Sequence, residues 1–144
     1  MRTKRNKLQI DGLLVLLLAY CAASLLHYAH NAAFLDQYPN MPAWLSPLGV
    51  YAAWLAGTAI GVVGYFLTRS GRWLAGLALV AVYGALGFDG LSHYSLAPFS
   101  AHTFTMNLTI LLEAATALLV LVAVLRMAVL RCVRKRSGRE ILVI

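Results

Sequence analysis

Ser100-Ala-His-Thr-Phe-Thr-Met-Asn-Leu-Thr-Ile-Leu-Leu-Glu-Ala-Ala-Thr116 opens the last apolar run of the chain, and the rest of the sequence is best read outward from it. At helical pitch His102, Met106, Thr109, Glu113 and Thr116 follow at steps of four, three, four and three, so they share one face. The opposite face is Leu, Ile, Phe and Ala. Glu113 stands eleven residues past His102, which is about 16 Å along a helix axis. In a hydrocarbon layer about 30 Å thick that is close to the midplane. A carboxyl at such depth has to be neutral, paired or metal-bound, and so it marks a site.

Three more runs of the same kind precede this one. Of 144 residues 61% are hydrophobic and 12% charged, where a soluble domain carries about 25% charged residues. Four spans are expected, over residues 12–33, 44–68, 73–95 and 100–126, each long enough for about twenty residues in hydrocarbon. Alternation over about ten residues, the mark of a membrane barrel, is missing. The expected fold is an all-α integral membrane protein, a four-transmembrane-helix bundle forming one membrane domain over residues 1–144, with 127–144 as its basic tail.

The basic residues fall on one side of that bundle. Four precede the first span (Arg2, Lys4, Arg5, Lys7) and two join spans two and three (Arg69, Arg72). Six close or follow span four (Arg126, Arg131, Arg134, Lys135, Arg136, Arg139), and the other two loops have none. The positive-inside rule then gives N-in/C-in topology in a bacterial-type inner (plasma) membrane, with a cytoplasmic tail. The net charge of +7 reflects topology and attraction to the headgroups of the lipid bilayer. The aromatic interleaving of a nucleic-acid surface is absent from the tail. The N-terminus resembles a signal peptide, but its apolar run outlasts an h-region and is read as a retained span. Cys21 falls in span one and Cys132 in the tail, so no intrachain disulfide is expected.

All four histidines lie at the outer ends of spans: His27 and His30 in span one, His93 in span three, His102 at the start of span four. His27 with His30, and Asp89 with His93, have the spacings that bring helical side chains together. Helix bundles collect metal ligands at these spacings. His27, His30, Asp89, His93 and His102 are therefore candidate ligands for a transition metal (Zn, Cu or Fe), with Met106 or Met41 favouring copper. Asp89 could instead orient His93, and Glu113 would accept protons below the site. Haem b between two of the histidines is the lesser alternative.

The competing structural reading is that each histidine is a satisfied hydrogen-bonding residue and Glu113 a polar lock between helices. Tyr38 and Trp44 read as interfacial belt aromatics, and Ser100 as the cap of span four. Ala53, Gly57 and Gly61 form a small-residue ridge, read first as packing within the bundle, with a homo-oligomer through the same ridge as the alternative that a carrier would require. No phosphate-binding loop, Cys-x-x-Cys or nucleophile elbow is present. The expected role is metal binding for delivery or for metal-assisted redox or hydrolytic chemistry. A non-catalytic accessory subunit of a larger membrane complex is the alternative, as is a proton-coupled carrier using Glu113 and Asp89.

Overall fold

The computed structural model describes the backbone of residues 2–140 and the side chains of residues 12–133. Among them there is no strand, and four segments are long and apolar enough to cross a membrane: Gly12–Ala33, Pro47–Arg69, Trp73–Leu96 and Phe104–Val133. Helix α1 (Arg2–Ala33) packs mainly on α5 (Phe104–Glu140), and α2 (Pro47–Arg69) on α3 (Trp73–Leu86). A short α4 (His93–Leu96) follows α3 after a tight turn. The side chains of the basic head and of the tail beyond residue 133 lie outside those described.

Element boundaries follow capping chemistry more than hydropathy. Helix α2 starts at Pro47 and not at Trp44, because Ser46 accepts the Gly49 N–H at 3.2 Å and proline suits the first helical position. Trp44 is left in the preceding turn, 82% exposed. Span four also begins later than expected. His102 is extended (φ −96°, ψ 142°), and Thr103, not Ser100, caps α5 by accepting the Met106 N–H at 3.3 Å. At its other end α5 runs on unbroken to Glu140, so the backbone of residues 127–140 is helical.

Span three departs most from expectation, because it is not one helix. Helix α3 stops at Leu86, and Asp89–Ser92 wind as a tighter 3₁₀ turn before α4. Gly84, Gly87 and Gly90 weaken the helix here. Tertiary contact completes the break: a Cβ on Gly87 would lie 2.7 Å from the Tyr20 ring, so the chain passes directly against α1.

Below the break, the bundle is dry. Leu13, Leu17, Val80, Ala117, Val120 and Val124 are buried there in one apolar core. The α2–α3 hairpin closes backbone on backbone, since a Cβ on Gly64 would sit 2.9 Å from the Val80 nitrogen. The ridge behaves as expected at Gly61, where a Cβ would run into the Tyr83 ring. Arg131 lies over the Trp73 ring at 5.0 Å, fixing α5 beside the start of α3. Above the break, towards the loops of residues 34–46 and 97–103, the buried side chains turn polar.

Candidate functional site

Four side chains remote in sequence meet in that polar half. His27 of α1, His93 at the start of α4, His102 ahead of α5 and Glu113 within α5 are all at least 94% buried. The His27 and His93 rings are 5.5 Å apart between centroids, and His93 and His102 are 6.1 Å apart. Glu113 Oε2 lies 3.8 Å from His27 Nε2. Gly90 makes room for this pair, since a Cβ there would be 3.1 Å from that carboxyl oxygen and 3.4 Å from Nε2.

The hydrogen bonds fix which nitrogens are free. Thr109 Oγ1 is 3.0 Å from the Met106 carbonyl, which takes its one proton, so it accepts from His27 Nδ1–H at 3.3 Å. The His27 lone pair is then on Nε2, facing Glu113. His102 Nδ1 donates to the Pro98 carbonyl at 3.1 Å, since a carbonyl can only accept. Its Nε2 lone pair is buried with no hydrogen-bond partner among the described residues. The Asn31 amide nitrogen lies 3.2 Å from His93 Nε2. His93 Nδ1, Asn31 Oδ1 and Glu113 Oε2 are also buried without such a partner among the described residues.

Two expected ligands stand apart. His30 turns to the Tyr38 hydroxyl, 2.9 Å from its Nδ1, and packs on Phe34. Asp89 is exposed, and among the described residues it makes no hydrogen bond to His93, whose partner is Asn31. The 3₁₀ turn is the reason, because it removes the helical i,i+4 relation between positions 89 and 93. Met106 is buried, but its sulfur receives the Thr103 N–H at 3.5 Å within its own helix start.

Tyr38 is no belt residue. It is 3% exposed and lies on His93 with ring centroids 4.9 Å apart. Burial pushes its phenol up to about 12, so it stays a protonated hydroxyl beside His30. Asn107 is a further residue that periodicity missed. Its amide donates to the Phe99 and His102 carbonyls, both at 3.2 Å, and accepts the Tyr94 hydroxyl at 3.0 Å. Polar residues inside an apolar run were the available signal for both Asn31 and Asn107.

Among the described residues no three His, Cys, Asp or Glu side chains converge as a ready-made metal-holding group. Glu113 also faces a second space, a cavity of about 310 Å³ between α1, α2 and α3 that Tyr28, Trp54, Thr58, Tyr83 and Asp89 help to line. No family model matches the chain, and no curated protein or solved structure shows significant similarity to it.

Proposed function

We propose that this is a multi-pass protein of a bacterial-type inner membrane, with both termini cytoplasmic, whose buried cluster holds a divalent transition metal near the outer face. His27, His102 and Glu113 are its ligands, His93 joins them once its Nε2 gives up the Asn31 amide from which it accepts, and the bound ion serves delivery or metal-assisted chemistry. The carrying observation is the pair of outward hydrogen bonds from His27 Nδ1 to Thr109 and from His102 Nδ1 to Pro98. Metal-ligating histidines characteristically give their second N–H to such an acceptor, which leaves the other nitrogen basic and aimed at the ion. Three imidazoles and one carboxylate suit zinc, iron or copper. With Asp89 and His30 outside the group, the ligand set is narrower than the sequence proposes. Binding would draw the rings and the carboxylate inward from their present spacing.

Elemental analysis of gently purified protein in detergent tests this reading. One equivalent of metal is expected, lost in His27→Ala, His93→Ala and His102→Ala but kept in His30→Ala. No metal above background in the wild type, or full metal in all three variants, overturns it. An absorption spectrum run beside it would reveal haem by a Soret band. A second reading draws on the His27–Glu113 approach of 3.8 Å: the three imidazoles, set edge to face, would relay protons between the loop end and Glu113. It predicts proton uptake without bound metal, lost in Glu113→Gln.

A further inference from the structure

The cavity on the far side of Glu113 has a chemistry of its own. Ala53, Ala56, Leu86 and Asp89 on its lining are exposed on the outside of the bundle, so it opens sideways between helices. Its inner wall is aromatic, from Tyr20, Tyr28, Trp54 and Tyr83. Trp54 is held in place by donating its indole N–H to Ser24 at 3.1 Å. Tyr20 is held by donating its hydroxyl to the Tyr83 carbonyl at 3.1 Å.

Three of the lining side chains end in buried polar atoms without a hydrogen-bond partner among the described residues: Thr58 Oγ1, Tyr83 Oη and Glu113 Oε2. The Tyr83 hydroxyl lies near Thr58 and Ser24 without meeting either in bonding geometry. Buried polar groups are nearly always hydrogen-bonded, and here three unsatisfied ones share one apolar, aromatic chamber. The volume is at the lower end of small-molecule sites, about 300–1,000 Å³.

We infer that this lateral cavity binds a lipid-soluble ring compound bearing carbonyl or hydroxyl oxygens, its ring against the aromatic wall and its oxygens accepting from the Thr58 and Tyr83 hydroxyls. Aromatic walls favour a flat ring through offset stacking. The polar atoms favour oxygen over plain hydrocarbon, because a buried hydroxyl left unpaired loses the hydrogen bonds it would make to water. The sideways opening favours entry from the bilayer. The inference rests on the membrane placement proposed above, and it does not require the metal.

Trp54 supplies the test. With Trp44→Phe and Trp73→Phe it becomes the one tryptophan, and menadione, a two-carbonyl naphthoquinone, quenches indole fluorescence on contact. Chelator-stripped protein in nanodiscs should show saturable quenching. Gly57→Leu, which fills the cavity, should abolish saturation, and Ala53→Phe at the rim serves if that variant does not fold. Thr58→Val should weaken the midpoint by about fivefold, the effect of one hydrogen bond. Quenching that rises linearly and equally in all variants is partition into lipid alone and overturns the inference. Because the protein is stripped, that result would leave the metal reading standing, and loss of the metal reading would leave this one standing.

Discussion

Thr109 is the residue on which the state of His27 turns. Its hydroxyl proton is committed to the Met106 carbonyl, so it can only accept from His27, and it thereby chooses the tautomer that faces Glu113. Thr109→Val should weaken metal affinity by about 10–100-fold, the usual effect of losing a ligand's orienting partner. Thr109→Ser should restore it. Titration against a chelator of known affinity measures both, and an unchanged affinity in the valine variant would remove His27 from the ligand set. Glu113→Gln separates charge from shape at the next position. The amide keeps the volume but loses the anionic ligand, so metal should be lost while the thermal midpoint in detergent changes little.

At the scale of elements, close approach of backbones is what positions the site. A Cβ on Gly76 would press on the Thr68 hydroxyl and main-chain nitrogen and on the Gly64 carbonyl, so α2 and α3 come together there almost backbone on backbone. Gly76→Ala should open this hairpin and lower the detergent melting midpoint, as overpacked contacts cost about 1–3 kcal/mol. Gly12→Ala is the control, because a Cβ there meets nothing within 4 Å. The four spans were legible in the sequence because each is a charge-poor apolar run long enough to cross a membrane, and the stripe of Met106, Thr109 and Glu113 marked the polar face of the last. The grouping of His27, His93 and His102 was legible too, since all three stand at one end of their spans. The 3₁₀ turn at Asp89–Ser92 was not, although Gly87, Asp89, Gly90 and Ser92 are turn formers, because the apolar run from Trp73 reads as continuing through them to residue 95. At the break Gly87 lies against Ala117 and Tyr20, thirty and sixty-seven positions away in the chain, a packing that no local pattern announces. The same applies to Tyr38 and His30, whose pairing depends on how the first loop folds back over the bundle. Only Asn40 hints at that return: it takes a positive φ of 56° and ties the loop to α4 by donating to the Leu96 carbonyl at 2.8 Å.

For the whole molecule, the one-sided distribution of Lys and Arg sets the proposed orientation. A cysteine placed at Gln37 should react with an impermeant thiol reagent added to intact cells, and Cys132, exposed near the far end of α5, should not. Labelling of Cys132 alone would turn the site to the cytoplasm. Arg131 over Trp73 marks where α5 leaves the apolar zone. From there Glu113 is eighteen residues up the helix, and Phe104 is nine further. These are distances of about 27 and 14 Å at helical rise. On the proposed membrane placement Glu113 would therefore sit about one third of the way through the layer these two residues bound, nearer the loop side than the midplane position read from the sequence. A membrane voltage falls across that layer, so a charge arriving at Glu113 from outside has crossed about a third of it. At 2.3 kcal/mol per charge per 100 mV, a divalent ion gains about 1.5 kcal/mol there from an inside-negative potential. Occupancy of the cluster in sealed vesicles should then tighten about tenfold for each 100 mV imposed by a potassium gradient. The resting voltage of the cell would itself help to load the site.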